Sequence, residues 1–318
     1  MEEKIKSKST RDGFGEGLVE LGKKNKDVVV LSADLTDSTR AGWFKRDFPE
    51  RFFSLGIAEQ DMFCTAVGMS MMGKIPYACT FGVFAAERAL NQLSISVCYM
   101  KLNVKIVGTH GGISVGPDGA THQALNEIAL MRVLPNMTVI VPCDALEAKR
   151  ATILAAQCPG PVYLRFSRNN VPQVTKEEDK FEIGKANVLK KGGDLTFIAC
   201  GTMTGVALEA AADLEKKGIS AQVINMHTIK PIDREAIIGA AKKTGAIVTC
   251  EEHSVIGGLG SAVCEVLSQT CPVPVKIVGV EDRFGESGEA EELFEYFGLT
   301  RENLVKTAKE LLAAKKNR

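Results

Sequence analysis

Four short runs, Val28–Leu31, Val104–Val107, Val139–Val141 and Val162–Leu164, are apolar at nearly every position. A strand with one wet face alternates apolar and polar residues; a run that hardly alternates has both faces covered. Such strands belong to parallel sheets lying between layers of helices. The chain supplies the helices, because longer amphipathic stretches around residues 12–24, 60–72, 82–99, 122–131 and 144–157 separate the runs. Thr10 and Asp144 stand where N-caps would open the first and last of these helices. The reading is an α/β fold with a doubly wound parallel sheet.

Residues 171–184, VPQVTKEEDKFEIG, break the pattern: they are charged, keep no apolar period, and read as an inter-domain connection. A second alternation follows. Strands are expected at 195–200, 220–225, 246–250 and 275–278, and helices at 203–217, 233–243 and 259–268. Two further helices close the chain, around 289–296 and 301–315. Two domains are therefore expected, residues 1–184 with the connection at its end, and a smaller α/β domain over 185–318. The length of 318 residues agrees, since a single core stops growing at about 250–300.

Thirty-nine basic residues balance 39 acidic ones. A zero net charge argues against a bulk nucleic-acid binder and leaves room for a local cationic pocket. No apolar run approaches the ~20 residues of a membrane span. The opening MEEKIKSKSTRDG lacks the apolar core of a secretory signal, so a cytoplasmic protein is expected. The nine cysteines are odd in number, form no C-x-x-C pair, and mostly sit in apolar runs such as GAIVTC. Buried reduced thiols are expected rather than a zinc site or a disulfide framework.

Three segments carry candidate chemistry. Residues 109–123, THGGISVGPDGATHQ, hold two of the four histidines, His110 and His122, with Asp118 and four glycines. The segment leaves the 104–108 strand, and open α/β sheets bind ligands at the carboxyl ends of their strands. Glu59 opens an otherwise apolar helix. Helix capping explains it, and so does a partly buried acid or base. Phe81 and Phe84, three apart, suit core packing or a ring stacked on a cofactor. Two glycine clusters are weaker signals. Gly13-Phe14-Gly15-Glu16-Gly17 has no preceding strand, which discounts a dinucleotide fingerprint. Gly257-Gly258-Leu259-Gly260 precedes a helix and reads as tight backbone packing, with an anion nest as the alternative.

Together the segments resemble transketolase, specifically its C-terminal half. Ser32-Ala33-Asp34-Leu35-Thr36-Asp37-Ser38 is similar to the family's S-A-D-L-T-x-S, and Gly56-Ile57-Ala58-Glu59-Gln60 to the segment with its catalytic glutamate. Gly116-Pro117-Asp118-Gly119-Ala120-Thr121-His122-Gln123 is similar to G-x-D-G-P-T-H-Q, with alanine in place of the usual proline. Ser167-Arg168-Asn169-Asn170, Ile229-Lys230-Pro231-Ile232-Asp233, Glu251-Glu252-His253 and Phe284-Gly285-Glu286-Ser287-Gly288 follow in the family's order. The resemblance covers essentially the whole chain.

It implies a thiamine-diphosphate pyrimidine-binding domain followed by a C-terminal domain, and transfer of a two-carbon ketol unit from a ketose phosphate to an aldose phosphate. By the same resemblance Glu59 would hydrogen-bond N1′ of the cofactor's aminopyrimidine, Phe81 and Phe84 would pack against that ring, and Asp34 would lie near the cofactor and a subunit interface. Asp118 and His122 would contact the donor sugar, His122 also the developing oxyanion, and Arg11, Ser38, His110 and Arg168 would bind sugar phosphate. No residue of this chain is expected to ligate a metal. The sequence contains no Gly-Asp-Gly followed by Asn, the signature that holds Mg2+ or Ca2+ and diphosphate in thiamine enzymes. The resemblance thus implies an N-terminal transketolase subunit as partner, in a dimer of heterodimers. Glu87 and Arg88 depart from the family pattern, standing where a third aromatic and an uncharged neighbour are usual. His253, beside two glutamates, reads as a structural histidine. A 1-deoxyxylulose-5-phosphate synthase-like fragment, a 2-oxo acid dehydrogenase beta-like subunit and a non-catalytic sugar-phosphate-binding module remain as alternatives.

Overall fold

The computed structural model describes residues 7–316, so the opening MEEKIK lies outside the described residues. In chain order the first half runs β1 (Ser7–Ser9), α1 (Thr10–Lys24), β2 (Val28–Ser32), α2 (Ala41–Asp47), β3 (Phe52–Ser54), α3 (Glu59–Met71), β4 (Ile75–Phe81), α4 (Leu90–Gln92), β5 (Lys105–Thr109), α5 (Glu127–Val133), β6 (Thr138–Ile140), α6 (Ala145–Ala155), β7 (Val162–Arg165) and β8 (Asn170–Pro172). The second runs β9 (Asn187–Lys190), β10 (Leu195–Ala199), α7 (Met203–Glu215), β11 (Ala221–Asn225), β12 (Thr228–Lys230), α8 (Arg234–Thr244), β13 (Ile247–Ser254), α9 (Leu259–Ser268), β14 (Val275–Val280), α10 (Ala290–Tyr296) and α11 (Arg301–Lys316).

The four apolar runs fall on β2, β5, β6 and β7, inside a seven-stranded sheet of order β12-β6-β7-β5-β4-β2-β3. Every pairing in it is parallel except β12 with β6. The double coverage expected of such strands is visible residue by residue. Val28 and Val30 face α1 and α6, joining Phe14, Leu18, Ala148 and Ala151. Val29 and Leu31 face the other way, onto Met62, Phe63 and Ala66 of α3. Alternate side chains of a strand point to opposite faces, and here both faces are dry.

The second sheet, β14-β13-β10-β11-β9, is parallel apart from β9. The halves are stitched together. β12, from the second half, extends the first sheet, pairing Thr228 with Ile140, and Val141 donates its N–H to the His227 carbonyl at 2.7 Å. One apolar cluster runs from Leu31 and Ile106 through Val139 to Ile224, Ile237 and Leu259.

Three local expectations change. The cap of α1 is Ser9, whose hydroxyl accepts from the Asp12 N–H, and not Thr10. Thr10 has its hydroxyl occupied elsewhere, accepting from the Ser167 N–H at 2.7 Å. The helix expected over 82–99 is interrupted: wide π-type turns, Phe84–Arg88 and Leu93–Tyr99, flank α4. The helix expected over 122–131 begins only at Glu127, because Gly111 bridges to Ala124 and a 3-10 turn occupies Ile113–Asp118. Asp144 caps α6 as expected, accepting from the Glu147 N–H at 2.8 Å.

Candidate functional site

The carboxyl ends of β2, β4, β5 and β7 lie along one edge of the first sheet, and each delivers a side chain singled out in the sequence: Asp34 just after β2, Phe81 ending β4, His110 just after β5, and Arg168 three residues after β7. Glu59 is the first residue of α3, which follows β3. Among the described residues five non-glycine residues have positive φ, and three of them, Asp34, Arg40 and His110, sit at this edge. Strained backbone concentrates where the surroundings hold it for a purpose.

The aromatic wall is continuous. Phe81 stacks on His110 with ring centroids 3.8 Å apart and on Phe84 at 5.7 Å. His122 approaches Phe84 edge-on at 5.4 Å. Glu59 is only 4 % exposed, and its two carboxylate oxygens accept from Arg88 Nη1 at 3.0 and 3.2 Å. The Arg88 guanidinium lies 3.9 Å from the centre of the Phe84 ring.

A cationic corner adjoins this wall. Arg11 Nη1 donates to His110 Nε2 at 3.4 Å and to the Ser38 carbonyl at 2.9 Å. An arginine can only donate, so Nε2 of His110 is unprotonated and its proton sits on Nδ1, 2.9 Å from Thr109 Oγ1. Burial, then the charges of Arg11, Arg168 and Arg40, push the His110 pKa down to about 3. Burial and the neighbouring Arg40 bring Arg11 down to about 10, against an opposing effect of Asp12. Cations that raise one another's energy in this way favour an anion among them.

Arg168 donates to the Val115 carbonyl at 2.7 Å and to Asp118 Oδ2 at 3.4 Å. That ion pair is substantially exposed on both sides, so either group is open to a ligand. The structure therefore brings together Glu59, Phe81, Phe84, His110 and His122, joins Arg11 to His110, and joins Asp118 to Arg168. Ser38 enters through its carbonyl. Asp34 is exposed and lines a separate open cleft with Ser38, Thr36 and Lys45.

Residues to which the sequence analysis assigns no role hold the 110–118 loop. Glu252, from β13, accepts from the Ser114 N–H at 2.7 Å and from the Thr202 hydroxyl at 2.6 Å. Arg165 of β7, buried and ion-paired with Glu127, donates to the Glu252 carbonyl at 2.7 Å. Gln123 Nε2 donates to the Glu286 carbonyl at 2.8 Å. A charged residue ending an otherwise apolar strand, Arg165 in VYLR, is the sequence signal for this network. The weaker motifs also resolve. Gly257–Gly260 is an anion nest filled from within, because Glu251 accepts from the N–H groups of Leu259 and Gly260 at 2.7 and 2.8 Å. The cluster around Gly13 lies inside α1, where a Cβ on Gly13 or Gly17 would run into the backbone of α6. His253 is fully buried beside Glu251, its Nδ1 2.8 Å from the Ser254 carbonyl.

Residues 6–174 match the family described as the transketolase pyrimidine binding domain, and residues 184–304 the one described as the transketolase C-terminal domain. A putative transketolase C-terminal section of Methanocaldococcus jannaschii is 47% identical over 302 residues, covering 94% of this chain and 95% of its own length. A 6-deoxy-6-sulfo-D-fructose transketolase subunit of a Clostridium species is 42% identical over 314 residues, covering 99% and 98%. A solved structure described as a split gene transketolase, inactive beta4 tetramer, superposes with a TM-score of 0.90 at 52% identity, covering 96% of this chain and 98% of that one.

Proposed function

The chain belongs to the transketolase family, and on that premise we propose that it is the C-terminal subunit of a two-chain, thiamine-diphosphate-dependent ketol transferase. Residues 1–184 form its pyrimidine-binding part and 185–318 its C-terminal part. The reading rests above all on one arrangement: a buried carboxylate, Glu59, facing a wall of stacked rings next to a corner of mutually repelling guanidiniums. The first half of that arrangement fits a flat, nitrogen-bearing ring, and the second fits a sugar phosphate.

Thiamine diphosphate, when bound, supplies the electron sink for breaking a carbon–carbon bond beside a carbonyl. The chain's own residues do the rest. Glu59 would hold the proton at N1′ of the aminopyrimidine, and Phe81 and Phe84 would form the wall beside that ring. His110, held neutral, and His122 would meet sugar oxygens, His122 that of the developing oxyanion. Arg11 and Arg168 would receive the phosphate, a task suited to forked, always-charged donors. The diphosphate and its Mg2+ or Ca2+ fall to an N-terminal-half partner in a dimer of heterodimers.

The test is an assay with a ketose phosphate and an aldose phosphate, first with this chain alone and then with an N-terminal-half chain added. Activity only in the mixture is expected. Full activity from this chain alone would overturn the two-chain reading, and use of pyruvate as donor would redirect it to the synthase-like or dehydrogenase-like class.

A further inference from the structure

Arg88 is one of the positions at which the sequence leaves the family pattern, and the structure shows which groups it meets. Its guanidinium is flat, delocalised and rich in N–H donors. It lies over one face of Phe84, 3.9 Å from the ring centre, while Nη1 donates to both oxygens of Glu59 at 3.0 and 3.2 Å. A flat heterocycle set against Phe84 and hydrogen-bonded to Glu59 needs the same two partners. The guanidinium and such a ring cannot both have them.

We propose that Arg88 is a placeholder: it closes the slot between Glu59 and Phe84 in the unloaded subunit and is displaced when the cofactor's aminopyrimidine enters. The proposal rests on the thiamine-dependent reading above. The two partners differ in mobility. Glu59 is 4 % exposed, and a carboxylate so far from water is costly without a donor. The Arg88 side chain is 48 % exposed, so its charged head can turn into solvent while its stem stays against apolar surface. Its backbone is held independently, since Gln60 Nε2 donates to the Arg88 carbonyl at 2.9 Å. The side chain can therefore leave without unfolding the wide turn that carries it. Cofactor binding has to break the Glu59–Arg88 pair first, which lowers affinity. In return Glu59 is not left unpaired in the unloaded subunit.

Two measurements test this. The first is the melting temperature of the chain alone as Arg88→Met, Glu59→Gln and the double variant. Arg88→Met should melt lower than the parent, and adding Glu59→Gln should recover most of the loss, because a neutral amide does not need the cation. An unchanged melting temperature for Arg88→Met would overturn the pair. The second is calorimetric titration of thiamine diphosphate into the complex of this chain with an N-terminal-half chain. Arg88→Met should bind about tenfold tighter, equivalent to ~1.4 kcal/mol. Equal or weaker binding would overturn the placeholder, weaker binding making Arg88 part of the loaded site. A parent complex that takes up no thiamine diphosphate would instead overturn the thiamine-dependent reading, and the proposal with it.

Discussion

Two histidines, His110 and His227, are held neutral by their surroundings. His110 reaches about 3 by burial and three neighbouring arginines, and His227 about 4 chiefly by burial against Phe181. Both lie below the unfolded value of about 6.5, so the unfolded chain binds more protons in between. Their contribution to stability is present above pH 6.5 and is lost as the pH falls towards the folded values. Urea unfolding of the parent and of His227→Phe should show this. The parent's stability relative to the variant should fall between pH 6.5 and 4 by up to ~3 kcal/mol. A pH-independent difference would refute it. The chemical role proposed for Glu59 has its own test. In the reconstituted enzyme, Glu59→Ala should lower kcat by about 10²–10⁴-fold, the range of general acid–base groups; a loss below about tenfold would remove Glu59 from the proton-holding role.

Single elements explain why the site loop has its shape. The segment after β5 cannot continue as a helix: Gly112, Gly116 and Gly119 all take positive φ. What fixes it instead is a carboxylate from the other half, Glu252, accepting from the Ser114 N–H and the Thr202 hydroxyl. Glu252→Ala removes both bonds inside the protein, where hydrogen bonds to charged groups contribute about 1.5–3 kcal/mol each. A loss of about 3 kcal/mol in chemical unfolding is expected, with KM for the sugar phosphate rising as the loop carrying His110 and Asp118 loosens. Lost stability with an unchanged KM would confine Glu252 to folding. The wide turn Phe84–Arg88 is the other such element, since it carries both Phe84 and the residue that covers it. Turns of this kind recur at functional sites.

At the scale of the whole molecule, no described helix is long and apolar enough to cross a membrane. Yet α3 with the residues flanking it, and the stretch that follows β4, leave Ile57, Met71, Met72, Ile95, Tyr99 and Met100 exposed. Met71 with Met72, and Tyr99 with Met100, are neighbours in the chain, and exposed apolar side chains that lie together mark contact surfaces. Sedimentation of the chain alone should therefore show self-association at micromolar concentration, and Met72→Lys combined with Tyr99→Lys should shift it towards monomer. A parent that sediments as a monomer would refute this. Inside the molecule the halves act together. Arg165 of the first sheet, Glu127 of α5 and Glu252 of the second sheet form one buried polar group, and β12 crosses from the second half to complete the first sheet.

The sequence determined what rests on local pattern. Apolar runs without alternation specified parallel strands covered on both faces, and amphipathic stretches specified most of the helices, because burial periodicity is written along the chain. β4 is not legible in this way: Pro76 and Thr80 interrupt the apolar run of IPYACTF, and only full burial between β2 and β5 makes it a central strand. Strands as short as β3 and β12 have too few residues to show any period; their neighbours define them. The family motifs pointed to the side chains gathered at the sheet edge. Tertiary structure alone decided what those side chains meet: Arg88 on Glu59, Arg11 on His110, and Glu252 reaching Ser114 across the two halves. These contacts join residues far apart in the chain, and their geometry depends on how two sheets and a shared core pack, which no local pattern encodes.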